Sequence, residues 1–282
     1  NEYFFHMQVG FDSQSMMLQL LDQPDPQQMF HDNYAFFSGT SSFMAAHFEK
    51  FAQSVKEGSF LQKNPFVVEL GCNDGILLRH FAQSGVRHLG IEPSKNVAEV
   101  ANQQGVSTIS EFFTSELAKQ IIRDHGNADA FLAANVMCHI STIRDVVKGI
   151  KTLLKPTGVV QFEDPYLGDV IRKTSYDQLY DEHVFLFSAY SIQYLFALEG
   201  MELIDVQPQS THGGSMRYVL AHQGKYPKQP SVEELLAQEK KQGLNQVETF
   251  QAFADHVARS KDELLNLLTD LKERGKHVAG YG

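Results

Sequence analysis

The residues best suited to proton chemistry lie together in the run Tyr180-Asp181-Glu182-His183. The imidazole of His183 titrates near neutral pH and can accept a proton, and Glu182 can orient the ring or balance its charge. Tyr180 precedes the histidine by three positions and would share its face if the segment is helical. Taken alone, an aromatic-rich stretch with one histidine is more often core, but the expected place of this run after a sheet strand favours a general base.

Two more polar groups follow predicted strands and could act on the same substrate. His139 comes four residues after Asn135, at the carboxyl end of a strand. The second group is the turn from His212 to Ser215, with Arg217 beyond it. The adjacent glycines of this turn would let backbone N–H groups approach a phosphate, and the arginine could hold a phosphate through two hydrogen bonds. The alternatives left open are an ordinary hairpin turn, a solvent-facing arginine and, for His139, a polar cap. The turn supplies the candidate substrate-binding residues His212, Gly213, Gly214, Ser215 and Arg217.

A glycine-rich turn predicts the nucleotide-type pocket beside which these groups would work. From Val67 to Gly75 an apolar strand runs into glycines, which adopt positive φ and let a ligand approach the backbone and the start of the next helix. A dinucleotide fingerprint is disfavoured because Asn73 and Ile76 stand where its second and third glycines belong. About twenty residues further on, the carboxylate of Glu92 is placed to bind ribose hydroxyls. The candidate cofactor-binding residues are Glu69, Gly71, Asn73, Gly75, Glu92 and Asn135.

Alternating strand and helix patterns predict the sheet that positions these residues. The pattern reads as strands near 66–70, 87–92, 106–109, 130–134 and 159–163, separated by helices near 75–83, 94–104, 114–123 and 142–154. Such alternation indicates an α/β fold with a mostly parallel, doubly wound sheet, whose strand carboxyl ends form the ligand crevice. Pro156 and Gly158 are typical of a helix end. Two last strands, near 201–206 and 215–221, have only a loop between them, which predicts an antiparallel hairpin.

The segments on either side of this sheet predict a division of the chain into three parts. Residues 1–60 read as a helical lid, with one helix starting at Pro24 and Asp25 and another over 42–54. Residues 61–222 would form the ligand-binding domain. Residues 223–282 begin with a linker composition, continue as one long helix or two, and end in a run from 276 to 282 that is typical of a strand entering a glycine turn.

Composition disfavours several classes of function. The chain has 282 residues, of which 43% are hydrophobic and 21% charged, as in an ordinary soluble globular protein. A net charge of −10 with dispersed lysines and arginines argues against a nucleic-acid partner. There is no apolar run of about eighteen residues and no signal-peptide pattern, so we expect no membrane partner and a cytoplasmic location. Cys72 and Cys138 are too few for a disulfide framework or a thiolate zinc site.

In combination, these motifs resemble those of a known family, the S-adenosylmethionine-dependent sugar C-methyltransferases that act on nucleotide-linked keto-deoxysugars. The pattern from Glu69 to Gly75, followed by an acidic second strand, is similar to that of Rossmann-like class I methyltransferases in general. The narrower resemblance spans the chain from about residue 18. It is carried by Asp32-Asn33-Tyr34 with Ser38, Thr40 and Ser41, by the run from Asn135 to Ile140, by Tyr180 to His183 and by His212 to Ser215.

The resemblance implies a Rossmann-like class I methyltransferase fold, S-adenosyl-L-methionine as the cofactor and a nucleotide-linked keto sugar as the small-molecule substrate. It also implies that the histidine matching His183 removes the proton next to a keto group and that the resulting enolate attacks the methyl group of the cofactor. The family's other active-site positions are matched by Tyr34, His139, Tyr180 and Glu182. Carbon methylation needs a base beside a carbonyl, and methyl transfer itself requires no metal.

The sequence departs from this family at both ends. Family members usually begin with a cysteine-rich zinc knuckle and finish with a complete second Rossmann-like domain that helps to hold the nucleotide sugar. The residues before Leu18 contain no cysteine, so we expect zinc only if a segment not present here supplies its ligands. Two alternatives stay open: an O- or N-methyltransferase acting on another small metabolite, and a non-catalytic relative that binds S-adenosylmethionine or a partner through its C-terminal helix. The sequence indicates no oligomeric state.

Overall fold

The computed structural model describes residues 6–280 as an α/β protein in which strands and helices alternate. Its strands are β1 (Val9–Asp12), β2 (Met17–Leu20), β3 (Phe66–Leu70), β4 (Arg87–Ile91), β5 (Thr108–Ile109), β6 (Ala128–Ala134), β7 (Leu154–Pro165), β8 (Phe185–Leu186), β9 (Met201–Gln209) and β10 (Ser215–His222). Its α-helices are α1 (Pro26–Met29), α2 (Ser42–Lys56), α3 (Arg79–Ala82), α4 (Lys95–Gln103), α5 (Ser115–His125), α6 (Ile143–Leu153), α7 (Leu167–Lys173), α8 (Ala189–Ala197), α9 (Pro230–Gln242) and α10 (Val247–Glu273).

Seven of these strands form one sheet, in the order β5-β4-β3-β6-β7-β10-β9. The first five strands in that order run parallel, and β10 pairs antiparallel with both β7 and β9. The predicted doubly wound sheet with a terminal antiparallel hairpin is therefore confirmed. Chain order reverses at β3, which lies between β4 and β6, and the carboxyl ends of strands at such a point open a crevice.

Helices cover both faces of the sheet because its central strands are apolar on both sides. All five residues of β3 are buried. On one face the cluster around Phe131 and Phe162 includes residues of α5, α6 and α8, and on the other the cluster around Phe51 and Phe81 includes residues of α2 and α4. Burying a side chain of this size contributes about 1.5–3 kcal/mol. The strand ends are thus held in place by packing on both faces.

Two boundaries differ from the sequence prediction. The helix expected near 75–83 is reduced to α3, because turns with Asn73 and Gly75 at positive φ occupy the preceding residues. The strand expected from residue 159 begins at Leu154, so Pro156 and Gly158 lie inside β7 rather than in a helix cap. The register of β7 against β6 shifts there, and proline is tolerated at such an irregularity because it interrupts the hydrogen-bonded ladder anyway.

The N-terminal segment contains, besides the expected helices, a hairpin that the sequence did not predict. Strands β1 and β2 pair antiparallel, and β2 pairs in turn with β8 to make a three-stranded sheet. The backbone N–H of Leu20 also donates to the carbonyl of Val184 at 2.9 Å. Because Val184 follows His183 directly, this hairpin anchors the segment that carries the predicted base.

The C-terminal segment forms two helices, which is one of the two arrangements expected. Helix α9 packs beside α8 and β9, and the buried carboxylate of Glu239 accepts hydrogen bonds from the backbone N–H groups of Ala189 (2.7 Å) and Tyr190 (3.1 Å). Burial raises the pKa of Glu239 to about 7. The expected final strand does not form over residues 276–280, and Tyr281 and Gly282 lie outside the described residues. Within residues 6–280, no helix has the length and apolar character needed to cross a membrane.

Candidate active site

A cavity of about 870 Å³ lies at the carboxyl ends of β3, β4 and β6. Residues from the segment 25–38 form one wall, and residues from 134–142, just after β6, form another. The predicted site residues that line the cavity are Tyr34, Gly71, Asn73, Glu92, Asn135, His139, Tyr180, Glu182 and His212. The structure therefore brings candidate cofactor-binding and catalytic residues to a single site.

Gly71 lines the cavity at a position that requires glycine. Its φ is +64°, and a Cβ would collide with the side chain of Val136. Its backbone N–H donates to the carbonyl of Ile91 at 2.7 Å, which ties the turn to β4. Gly75 has φ +82° but does not line the cavity, and a Cβ there would lie 2.9 Å from Val106. The second glycine shapes the turn rather than contacting the cavity.

Glu92 presents a buried, oriented carboxylate at the end of β4. Its Oε2 accepts the backbone N–H of Asn73 at 3.1 Å, and its Oε1 accepts that of Ser94 at 3.0 Å. Burial raises the pKa of this carboxyl group, and the two hydrogen bonds oppose that shift. Each oxygen retains acceptor capacity for a ligand hydroxyl. Glu69, by contrast, is buried within β3 and does not line the cavity.

Asn135 supplies an acceptor that the described residues do not satisfy. It has φ +56° just after β6, and its Oδ1 is buried with no hydrogen-bond partner within residues 6–280. Unpartnered buried oxygens are uncommon in folded proteins, and a ligand N–H or cation at this site would account for it. Gly71 and the acceptor oxygens of Glu92 and Asn135 together fit an adenosyl cofactor, which offers ribose hydroxyls and a positively charged amino-acid end.

Tyr180 and His183 come together although the segment that carries them is a turn and not a helix. The backbone N–H of His183 donates to the carbonyl of Tyr180 at 3.0 Å, and the two rings lie 4.0 Å apart, centroid to centroid. The hydroxyl of Tyr180 is 2.8 Å from Nε2 of His183. Tyr180 lines the cavity and His183, which is 3% exposed, lies behind it.

The partner of Nδ1 in His183 decides which group donates in the hydrogen bond between Tyr180 and Nε2 of His183. Nδ1 of His183 is 2.8 Å from the carbonyl oxygen of Gln178, and a carbonyl can only accept. Nδ1 therefore carries the proton in the neutral ring, and Nε2 accepts from the Tyr180 hydroxyl. Burial lowers the pKa of His183 to about 4, so the ring is neutral near pH 7. Burial also raises the pKa of Tyr180, which keeps its phenol protonated.

His139 forms the adjoining wall of the cavity. Its ring centroid is 5.2 Å from that of His183 and 5.8 Å from that of Phe30, and both pairs of rings are stacked. Its Nε2 is buried without a hydrogen-bond partner among the described residues, and burial lowers its pKa to about 3. The sequence indicated no role for Phe30, because its contact with His139 joins segments more than a hundred residues apart.

Tyr34 and Glu182 face each other from two sides of the cavity. The hydroxyl of Tyr34 donates to Oε2 of Glu182 at 3.4 Å. Burial raises the pKa of Tyr34, and the charge of Glu182 raises it further. Burial likewise raises the pKa of Glu182. The Glu182 carboxylate thus contacts a tyrosine of the N-terminal segment, whereas the sequence suggested that it would support the imidazole.

The predicted substrate-binding turn contributes one residue to the cavity. His212 lines it, with φ +52°. The N–H of Gly214 already donates to the carbonyl of Thr211 at 2.8 Å, and the hydroxyl of Ser215 donates to the same carbonyl at 3.1 Å. Gly213, Gly214 and Ser215 do not line the cavity. Of the backbone donors expected to meet a phosphate, the N–H of Gly214 is therefore used inside the hairpin turn.

The interpretation of Arg217 as a phosphate clamp is corrected by its surroundings. Arg217 is 6% exposed. Its guanidinium forms an ion pair with Glu163, in which Nε donates to Oε1 at 2.6 Å, and lies 3.8 Å from the ring centroid of Phe51. Nε2 of His47 lies 2.6 Å from Oε2, the other carboxylate oxygen of Glu163, within hydrogen-bond distance. Arg217 does not line the cavity, because β10 is an inner strand of the sheet and this side chain faces α2.

Within residues 6–280, one group of side chains has the spacing of metal ligands. Ligand atoms of Cys138, His139 and His183 lie within 4.8 Å of one another, and all three residues are buried. Burial raises the pKa of the Cys138 thiol well above its usual range. Nε2 of His183 is already hydrogen-bonded to Tyr180 and would have to give up that bond to bind a metal ion.

Comparison with known proteins gives a consistent result over the whole chain. Residues 10–206 match a family described as a methyltransferase domain, and residues 210–282 match a family described as the C-methyltransferase C-terminal domain. The C-methyltransferase NovU of Streptomyces niveus is 32% identical over 282 residues, a match that covers all of this chain and 67% of that protein.

More distant similarities point the same way. A sterol 4-C-methyltransferase of Caenorhabditis elegans is 24% identical over 191 residues, which covers 63% of this chain and 52% of that protein. A solved structure of a Pyrococcus horikoshii protein covers 67% of this chain and 95% of its own at 13% identity, with a TM-score of 0.51. That structural similarity supports the fold.

Proposed function

This chain belongs to the family of S-adenosylmethionine-dependent C-methyltransferases, and on that premise we propose that it methylates a carbon next to a keto group of a nucleotide-linked deoxysugar. The observation that carries the proposal is the hydrogen bond between Tyr180, at the cavity wall, and the neutral imidazole of His183 behind it. A carbon acid must lose a proton before it can accept a methyl group, and this pair can take that proton.

The cofactor, when bound, supplies an electrophilic methyl group on a positively charged sulfur. The residues that would hold it are Gly71, whose backbone lines the cavity, Glu92, through its carboxylate, and Asn135, through an Oδ1 that has no hydrogen-bond partner among the described residues. These residues come from the ends of three adjacent strands, so the sheet sets their spacing. Fixing both reactants in one site replaces much of the entropy cost of bringing them together, roughly 7–11 kcal/mol in well-aligned cases.

In the proposed proton transfer, the Tyr180 oxygen takes the proton from the acceptor carbon while its own proton passes to Nε2 of His183. The electron pair of the broken C–H bond goes into the enolate. When the enolate carbon bonds to the methyl group, the bond between that methyl and the cofactor sulfur would break and its electron pair would stay on sulfur, which would leave S-adenosylhomocysteine. The enolate oxygen needs a donor as its charge develops. Tyr34 and His139 line the same cavity. His139 can provide the donor in the tautomer that carries its proton on Nε2, which has no hydrogen-bond partner among the described residues, and Tyr34 can provide it once its hydroxyl turns away from Glu182.

The charges around the cavity favour an uncharged acceptor group in it. Among the described residues that line the cavity there is no lysine or arginine, and Asp25, Glu92 and Glu182 supply carboxylates. Carboxylates bind hydroxyl groups and repel phosphates. We therefore propose that the keto-sugar ring enters the cavity and that the nucleotide diphosphate stays outside it. The chain spans about two thirds of the C-methyltransferase NovU, and we propose no binding site here for the nucleotide.

Solvent exchange at the acceptor carbon tests this function. The enzyme is incubated in D₂O with S-adenosylhomocysteine and nucleotide-linked keto-deoxyhexoses, and NMR follows loss of the proton next to the carbonyl. We expect exchange with wild-type enzyme and with His88→Asn, whose imidazole is hydrogen-bonded to backbone atoms of Val86 and Ser107. We expect a loss of about 10²–10⁴-fold in His183→Asn, the usual contribution of a general base.

Other outcomes of the same experiment would support the alternatives. If an oxygen or nitrogen were methylated without any proton exchange at carbon, the result would contradict carbon methylation and support the O- or N-methyltransferase function. Calorimetry with S-adenosylmethionine and S-adenosylhomocysteine is the companion measurement. Binding of both without turnover of any acceptor would favour a non-catalytic relative.

A further inference from the structure

We infer that Asn96 is a positioning residue that clamps the N-terminal segment over the cofactor end of the cavity and so fixes Tyr34. The segment concerned, residues 32–39, is called the strap below. Tyr34, Phe36 and Ser38 of the strap line the cavity. The strap contains no strand and only the start of a 3-10 turn, so its backbone depends on other parts of the protein for hydrogen bonds.

Asn96 holds the strap through both ends of its side-chain amide. Its Oδ1 accepts the backbone N–H of Tyr34 at 3.1 Å, and its Nδ2 donates to the carbonyl of Tyr34 at 2.8 Å. These two hydrogen bonds to a single residue resemble the pair of N–H···O bonds that two facing residues exchange in an antiparallel sheet. It leaves the Tyr34 backbone little freedom, while the phenol extends across the cavity to Glu182.

The side-chain amide of Asn73 holds the strap at a second point, two to four residues after Tyr34. Oδ1 of Asn73 accepts the N–H of Ser38 at 2.9 Å, and Nδ2 of Asn73 donates to the carbonyl of Phe36 at 3.0 Å. Oδ2 of Asp74 accepts the N–H of Gly39 at 2.8 Å. These side chains of the glycine-rich turn therefore bind the strap, which is a role that the sequence pattern did not indicate.

Both clamps are anchored at the carboxylate proposed to bind ribose. The N–H of Asn73 donates to Glu92, and so does the N–H of Ser94, two residues before Asn96. A ligand that orders Glu92 would consequently order both anchors of the strap. Strap closure and cofactor binding should therefore favour each other, as linkage between two sites requires. This step rests on the proposed cofactor site but not on the chemistry of the acceptor.

The geometry of α4 offers a matched control for Asn96. Asn102 lies on the same helix, and its amide also makes two hydrogen bonds, to the carbonyl of Ala98 at 2.9 Å and from the N–H of Thr108 at 3.1 Å. Those partners belong to the fold below the cavity and not to the strap. Removal of either amide should cost similar global stability, whereas only removal of Asn96 should release the strap.

Hydrogen–deuterium exchange of the unliganded full chain tests the clamp directly. In Asn96→Ala we expect peptides covering residues 32–39 to exchange about tenfold faster, the size expected for one to two lost hydrogen bonds, with other peptides unchanged. Asn102→Ala should leave the strap at the wild-type rate. Equal strap exchange in wild type and Asn96→Ala would overturn the inference. Should Asn96→Ala not fold, Asn96→Asp, which keeps the acceptor and loses the donor, provides the same comparison.

Dissociation of S-adenosylhomocysteine, followed by stopped flow, tests the link to the cofactor. We expect Asn96→Ala to release it about tenfold faster than Asn102→Ala. A double-mutant cycle in kcat with Tyr34→Phe should be non-additive, because Asn96 acts through Tyr34; simple additivity would overturn that role. Absence of S-adenosylhomocysteine binding in the wild type would contradict the proposed function, whereas the exchange experiment would still decide the role of Asn96.

Discussion

Arg217 on β10 and Glu163 on β7 form an ion pair inside the protein, with Nε donating to Oε1 at 2.6 Å. The two residues are directly opposite each other in the antiparallel register of these strands. Phe51 covers the guanidinium on one side, and His47 meets the remaining carboxylate oxygen. The pair therefore ties α2 to the sheet next to the cavity, and its role is in stability.

Arg217→Met should destabilise the protein strongly, because it leaves the buried Glu163 carboxylate without its cationic partner. Breaking a buried pair from one side typically costs about 3–5 kcal/mol. Arg274→Met, which breaks an exposed pair with Asp270, should cost at most about 1 kcal/mol. Urea denaturation of both variants gives the comparison. If the two variants lost the same small amount, the internal ion pair would not be a stabilising contact.

Gly71→Ala should be worse for folding and for cofactor binding than the same change at Gly85. The two glycines have nearly equal positive φ values, +64° and +68°, so both substitutions carry the left-handed strain of about 1–2 kcal/mol. A Cβ at Gly71 also collides with Val136, whereas a Cβ at Gly85 meets nothing within 4 Å. Thermal unfolding and calorimetry with S-adenosylmethionine measure the difference. Equal effects at both positions would mean that the turn can move away from Val136.

The sequence predicted well those features that depend on local periodicity. Alternation of strands and helices was enough for the parallel sheet, and topology then placed Gly71, Glu92 and Asn135 at adjacent strand ends, where they do meet. The Tyr180 to His183 run was singled out from its residue types, and Tyr180 and Glu182 do line the cavity. Each of these inferences uses neighbours within one element or the general rule that parallel strands end at a common edge.

Features that depend on distant contacts were missed or wrong. An arginine beside a glycine-rich turn is typical of a phosphate site. Only the three-dimensional structure shows that the guanidinium of Arg217 is already paired with Glu163. The β1–β2 hairpin has strands of four residues each, too short to give a clear alternating pattern. Asn96 looks like an ordinary helix residue, since its partner Tyr34 is sixty-two positions away. No spacing rule within one sequence could have identified these contacts.

Glu92→Ala should weaken binding of the cofactor by about 2–3 kcal/mol, because a charged acceptor for ribose hydroxyls is lost. Glu92→Gln should lose less, since its amide oxygen can still accept one of the backbone N–H groups of Asn73 and Ser94. Calorimetry with S-adenosylhomocysteine measures both. Glu116→Ala, an exposed change on α5, is the control for general effects. Unchanged affinity in Glu92→Ala would remove this residue from the cofactor site.

The buried histidines should make stability fall as the pH falls. In the unfolded chain a histidine binds a proton below about pH 6.5. Burial lowers the pKa of His183 to about 4, so between these values the unfolded state holds a proton that the folded state does not. The free energy of unfolding contributed by this group is thus unchanged above pH 6.5 and decreases on the way down to pH 4, by on the order of 3 kcal/mol.

His183→Asn should therefore lose less stability than the wild type between pH 6.5 and pH 4. The comparison must be made as a difference between the two proteins, because Asp164 and Glu239, whose pKa values burial raises to about 8 and about 7, act in the opposite direction in both. Urea denaturation at several pH values measures it, with His88→Asn as the matched substitution. If the free energy of unfolding changed with pH in the same way in wild type and His183→Asn, then His183 would bind its proton in the folded protein below about pH 6.5, as in the unfolded chain. In that case the neutral imidazole required to accept the Tyr180 proton would be lost below pH 6.5, and activity would fall there as well.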